Sequence, residues 1–185
     1  MQFFLFTTGA AAEISFFAGM IYMIDYAAEA VRMLREKNMT ITTAESCTGG
    51  LIAKMITDIS GSSAVFGCGI VSYSNDIKQS VLGVRAETLA GYGAVSEETV
   101  REMAKGALKV SGADIAVAVS GIAGPSSDGT DKPVGLIYIA AATKNTVKIK
   151  KLNNVFNVNI RENNRNSAAN EALKLVCEVL HEQAV

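Results

Sequence analysis

The segment Thr40-Ile41-Thr42-Thr43-Ala44-Glu45-Ser46-Cys47-Thr48-Gly49-Gly50-Leu51 passes from a β-branched run, through a polar turn rich in glycine, into a helix-forming run. Residues 40–44 are short and β-branched and predict a buried strand. Residues 51–59 then read as a helix that stops before Gly61. Strand, polar turn and helix in that order form the repeating unit of an open α/β sheet, whose ligands collect at the carboxyl edge of the strands. Thr48-Gly49-Gly50 at the helix start would offer backbone N–H groups that nothing inside the helix can accept.

The flanking sequence repeats the alternation. Upstream, Ile24, Ala27, Ala28, Val31 and Leu34 recur at helical spacing, which predicts a helix over 25–37 ended near Asn38. Downstream, 65–73 reads as a strand and a helix starts near Asn75. Ser96 caps a further helix, with Glu97 and Glu98 in its first turn and an apolar face of Val100, Met103, Ala104 and Ala107. Residues 114–120 form a continuous apolar run, the pattern of a central strand covered on both faces. Residues 134–142 and 146–156 read as two strands joined near Lys144-Asn145, and Ala169, Ala172, Leu173, Val176, Cys177 and Leu180 mark a closing helix. The prediction is an α/β fold: a three-layer α/β/α sandwich with a mixed central sheet. No repeat or linker divides residues 25–185, which read as one domain.

Composition removes several function classes. Of 185 residues, 49% are hydrophobic and 19% charged, which excludes disorder as the default state. Seventeen Lys+Arg against eighteen Asp+Glu leave a net charge of -1, without the basic surface that nonspecific nucleic-acid binding needs. The three cysteines, Cys47, Cys68 and Cys177, are odd in number and far apart. They suit a reducing compartment, hence the cytoplasm, and not a disulfide framework. The single histidine, His181, is too little for a zinc site or for ordinary Ser-His-Asp chemistry. No metal and no cofactor are expected.

Residues 1–24 stand apart. They carry one charge, Glu13, and five of the seven phenylalanines. No Lys or Arg precedes Arg32, so a signal peptide is excluded. A membrane span would hold Glu13 centrally, at a cost of about 2.5–3.5 kcal/mol, and would lack a cationic flank. The segment reads first as an upstream extension, with Met20 or Met23 as the natural start, and second as an apolar arm packed on the domain or on another subunit.

Three clusters carry polar chemistry. In the first, residues 45–50, a P-loop is excluded because Leu51 follows Gly50, and a nucleophile elbow because Glu45 and Cys47 flank the serine. An anion-binding turn, or a nucleophile beside an oxyanion hole, remains against the plainer reading that Gly49-Gly50 only permits close helix packing. The second cluster runs from Ser72 and Tyr73 to Lys78. With Asn75 as the helix cap, Lys78 falls in the first turn, where the dipole and burial would both lower its pKa, so that it could act as a base without histidine. Taken alone, Lys78 reads more simply as a solvated surface lysine. The third is Ser120-Gly121-Ile122-Ala123-Gly124-Pro125 with Asp131-Lys132-Pro133-Val134-Gly135, a turn able to bring backbone amides close to a ligand or to serve as an ordinary tight connection.

Together the motifs at 44–50, 73–78, 93–96, 120–125 and 132–135 resemble those of the CinA C-terminal domain family, in order and at family-like spacing from about Asp25 to the closing helix. The family includes stand-alone nicotinamide-nucleotide amidases. The resemblance implies hydrolysis of the carboxamide of nicotinamide mononucleotide to nicotinate mononucleotide and ammonia. It further implies a serine–lysine mechanism, with Ser46 as nucleophile, Lys78 as base and Tyr73 as supporting hydroxyl. The N–H groups of Cys47, Thr48 and Gly49 would form the oxyanion hole. Substrate contacts are expected from Glu45, Gly50, Asn75, Ser120, Gly121, Ala123, Gly124 and Arg161. Asn159-Ile160 stand where the family tends to have Gly-Asp before the arginine, which bears on the local phosphate or ribose contact. The substrate phosphate would be met by the cationic stretch from Lys144 to Lys174, with seven Lys/Arg against two Glu. The expected partner is a small nucleotide, with no nucleic acid or membrane, and the expected assembly a homo-oligomer, dimer or higher. Two rival readings stay open: a thiol amidase using Cys47 with Glu45 or Lys78 as base, and a nucleotide-binding module without turnover.

Overall fold

The computed structural model describes residues 25–182. The segment 1–24, read from sequence as an extension, an arm or a span, lies outside them.

Helix α1 (Tyr26–Lys37) starts where the Asp25 carboxylate accepts the N–H groups of Ala27 and Ala28, and ends at Asn38 in the left-handed conformation. Its stripe Ala27, Ala30, Val31, Met33 and Leu34 is buried. Strand β1 (Ile41–Glu45) is buried at every residue. Then follow α2 (Leu51–Thr57), β2 (Phe66–Val71), α3 (Asn75–Ser80), α4 (Ala86–Tyr92), α5 (Glu97–Ser111), β3 (Ile115–Gly121), β4 (Leu136–Thr143), β5 (Val147–Asn153) and α6 (Ile160–Glu182).

The five strands form one mixed sheet in the order β2-β1-β3-β4-β5. β1 is parallel to both β2 and β3, while β4 and β5 run antiparallel to their neighbours. One sheet face buries Ile41, Ile115, Val117, Val119, Ile137 and Ile139 under α1, α2 and α6. The other buries Ala44, Ala116, Ala118, Ala140 and Ala142 against Val100, Met103, Ala104 and Ala107 of α5. The small alanine face lets α5 sit close, and the branched face fills the wider gap under three helices. This is the expected three-layer sandwich.

The parallel run β2-β1-β3 sets the location of the site. Parallel strands end on the same sheet edge, so the loops after β1, β2 and β3 share it, and these are the three clusters read from sequence. Among the described residues, no helix is long and apolar enough to cross a membrane.

Candidate active site

Ser46 follows the last residue of β1, and its main chain is held on both sides. Its N–H donates to Val119 O (2.9 Å), and its carbonyl accepts the N–H of Gly49 (3.1 Å), closing a tight turn. That turn needs Gly49 at φ +58° and Gly50 at φ +92°, positions where a side chain would be strained.

Lys78 reaches this serine from α3. Its side chain is 1% exposed. Nζ donates to Ser46 Oγ at 3.1 Å and to Ser72 O at 2.8 Å, with Tyr73 O at 3.5 Å. No salt bridge to Lys78 occurs among the described residues. Burial therefore meets no carboxylate to offset it, only the opposing influence of the Cys47 sulfur, and it brings the ammonium down from its ordinary 10.5 to about 8. A neutral amine has two hydrogens and one lone pair. Two carbonyls and one serine hydroxyl match that count, with Ser46 then donating to Nζ.

The helix dipole invoked from sequence is not the cause of the lowered pKa. Ser74, not Asn75, caps α3, its Oγ accepting the Ile77 N–H, and the six-residue helix places Lys78 beyond the first turn. Tyr73 also departs from expectation. Its ring is exposed, and its hydroxyl accepts from Arg161 Nη2 at 3.1 Å instead of meeting Ser46 or Lys78. Ser72 turns inward and its successor turns out, so only the Tyr73 carbonyl faces the amine.

Of the three amides expected as oxyanion donors, one is already engaged. Gly49 N–H is engaged by Ser46 O, whereas the amides of Cys47 and Thr48 bond to no oxygen among the described residues. The Cys47 side chain is buried in the hydrophobic core, and burial pushes its thiol up to about 12. A thiol held protonated is a poor nucleophile, which weighs against the thiol reading.

Several expected substrate contacts are occupied internally. The Glu45 carboxylate is fully buried and accepts the N–H groups of Gly50 (2.9 Å), Ile52 (3.1 Å) and Ala53 (2.8 Å). It caps α2 from below, and Gly50 N–H is its partner; neither group is free for a ligand. Ser120 is 1% exposed and donates to Ala94 O at 2.7 Å. Gly121 is close to backbone, but to β4: a Cβ there would lie 2.9 Å from Leu136 O. Ala123 O is taken by Asn164 Nδ2 (3.0 Å) and Gly124 O by Arg161 Nη1 (3.0 Å). Asn75 and Arg161 are exposed beside these loops, the latter with Nη1 on Gly124 O and Nη2 on the Tyr73 hydroxyl.

The cationic run also divides. Lys148 pairs with Glu182, Lys150 with Glu171, and Lys151 lies over the Tyr138 ring. Only Arg161 and Arg165 turn to the loops. Arg165, which sequence reasoning missed, donates to Thr48 O from Nη2 (2.7 Å) and Nε (3.3 Å). The signal was present: Arg161, Asn164 and Arg165 stand at i, i+3 and i+4, a polar stripe leading into the apolar face of α6.

The profile of the CinA C-terminal domain matches residues 24–180, and the chain belongs to this family. A CinA superfamily protein of Klebsiella pneumoniae superposes with a TM-score of 0.81 at 33% identity, over 86% of this chain and 99% of that one. The competence/damage-inducible protein CihA of Agrobacterium tumefaciens superposes at 0.76 with 41% identity, over 86% and 98%. The nicotinamide-nucleotide amidohydrolase PncC of Escherichia coli K12 is 59% identical over 110 residues, 60% of this chain and 67% of that protein. The chain spans only 30% of the length of a competence-damage inducible relative in Thermoanaerobacter, to which it is 52% identical over 122 residues.

Proposed function

We propose that this chain is an amidohydrolase that converts nicotinamide mononucleotide to nicotinate mononucleotide and ammonia, with Ser46 as nucleophile and Lys78 as general base. One observation carries the reading: the Ser46–Lys78 contact of 3.1 Å, made by a buried lysine with no carboxylate partner among the described residues. A solvated structural lysine would have neither property. The similarity to the Escherichia coli amidohydrolase supports the substrate class.

An amide is a weak electrophile and needs both an activated nucleophile and donors for the developing charge. Neutral Lys78 takes the Ser46 proton as Oγ adds to the carboxamide carbon. The oxygen that becomes negative faces the N–H groups of Cys47 and Thr48. The C–N bond then breaks, and Lys78 gives its proton to the departing ammonia, leaving a nicotinoyl ester on Ser46. Water, deprotonated by the same amine, cleaves the ester, and the proton returns to Oγ. The cycle balances with one lysine acting as base and acid in turn. Arg161, exposed beside the loops, is the side chain offered to the substrate phosphate, in the role first assigned to the longer cationic run.

The proposal includes a cytoplasmic, homo-oligomeric enzyme that needs neither metal nor cofactor; sizing chromatography of the purified protein checks the oligomer. An ammonia-release assay on nicotinamide mononucleotide is the direct test of the activity. Tight binding without ammonia release would favour the nucleotide-binding module.

A further inference from the structure

We propose that Arg165 is a positioning residue that aligns the oxyanion hole through two successive peptide planes. The inference rests on the serine–lysine reading above. In a trans peptide the C=O and N–H point in opposite directions, so holding one end of the plane aims the other. The Arg165 guanidinium grips the Thr48 carbonyl with Nη2 at 2.7 Å and Nε at 3.3 Å. Leu51 N–H adds a bond to the same oxygen at 3.3 Å. The far end of that plane is the N–H of Gly49, which is thereby aimed at Ser46 O, 3.1 Å away. The Ser46 carbonyl in turn belongs to the plane whose far end is the N–H of Cys47. That N–H is left facing away from the turn, with no oxygen partner among the described residues.

The chain from guanidinium to oxyanion donor thus runs through two hydrogen bonds and two rigid planes. A cation at its start polarises both bonds toward the reacting oxygen. Arg165 is half-buried and delivered by a 23-residue helix whose neighbouring side chains hold the other loop: Asn164 bonds Ala123 O and Arg161 bonds Gly124 O. Gly49 is required by its φ of +58°, not by lack of space: a Cβ there would lie in ordinary contact, 3.8 Å from Nη2. Arg165 hydrogen-bonds to neither Ser46 nor Lys78, so its effect must travel through the turn.

The test measures two rates on the full chain, for wild type, Arg165→Ala and Arg165→Lys: hydrolysis of nicotinamide mononucleotide, and covalent labelling of Ser46 by a fluorophosphonate. Labelling builds charge on a phosphonyl oxygen at the same donors and needs no knowledge of the natural substrate. Losing one oxyanion donor outright costs about 10²–10³ in kcat, so misaligning one should cost about tenfold to a hundredfold. The expected result for Arg165→Ala is that loss in both kcat and labelling, with KM within about threefold and the midpoint of the pH profile unmoved. Arg165→Lys, able to donate one bond to Thr48 O, should recover part of the loss. A tenfold rise in KM at unchanged kcat would make Arg165 a substrate ligand and overturn the proposal. Unchanged labelling, or a shifted pH midpoint, would also overturn it. If Arg165→Ala does not fold, Arg165→Gln decides on the same readouts. A wild type that labels but does not hydrolyse the nucleotide refutes the substrate while leaving the positioning role to stand on labelling; one that does neither refutes both.

Discussion

Lys78 is held where its charge is costly. The unfolded chain solvates its ammonium and the folded chain does not, so the folded pKa of about 8 lies below the ordinary 10.5. Between these values the unfolded state binds more protons, and wild-type stability rises with pH through that window. At about 1.4 kcal/mol per pH unit the contribution is at most roughly 3 kcal/mol, absent below pH 8 and complete above 10.5. Lys78→Met has no such titration. Denaturant melts at pH 7 and pH 10 are therefore expected to show the stability difference moving toward wild type as pH rises; a constant difference would show that the buried lysine keeps its proton across that range, with no lowered pKa. The same titration governs activity. The base works only when neutral, so the rate should climb with pH to half its maximum near 8, and in Cys47→Ala equally, because a thiol near 12 does not titrate there. Ser46→Ala should abolish turnover with the fold intact, while Cys47→Ala keeps most of it, as read by ammonia release.

At the scale of elements, the loop after β1 depends on a group first read as a ligand contact. Glu45 accepts three N–H groups at the start of α2, so Glu45→Gln leaves at least one buried donor facing an amide. A loss of about 1–3 kcal/mol is expected, seen as a lower Tm, with the KM of the folded fraction unchanged. A raised KM at unchanged Tm would return Glu45 to the substrate site. Elements with one strong signal were legible in sequence: α1 from its apolar stripe and cap, α5 from Ser96, β3 from its unbroken apolar run, and the β4–β5 pair. Helix α4 was not, because Thr88 is its only fully buried residue and no apolar stripe marks it. Helix α6 begins at Ile160, well before the Ala169 from which it was read. Its first turns face polar loops, so the periodicity there is one of arginine and asparagine.

Over the whole molecule, the convergence of three loops on one edge follows from parallel strands, and parallel strands follow from strand–helix alternation; this much was readable. Which loop atoms are free for chemistry was not. Glu45, Ser120 and Ala123 are polar or small residues in the right loops, yet their groups are taken by the Gly50 amide, Ala94 O and Asn164. Spacing along a chain does not reveal such partners, because each lies on another element or across a turn. The segment before Asp25 reads from its sequence as an upstream extension, so removing residues 1–22 is expected to leave a folded, active enzyme in the ammonia assay, with its elution volume in sizing chromatography shifted only by the lost mass. Loss of activity together with a change of assembly would mean that the segment is part of the working unit.

The central claim is that Lys78 acts as a neutral base on Ser46, and the rate of Lys78→Arg tests it most directly. A guanidinium keeps its charge at any working pH and cannot accept the serine proton. The account predicts a loss as large as in Lys78→Ala, about 10²–10⁴ in kcat, with nucleotide binding retained in both. Activity of Lys78→Arg within a fewfold of wild type would contradict it, showing that the site needs a cation there and not a base.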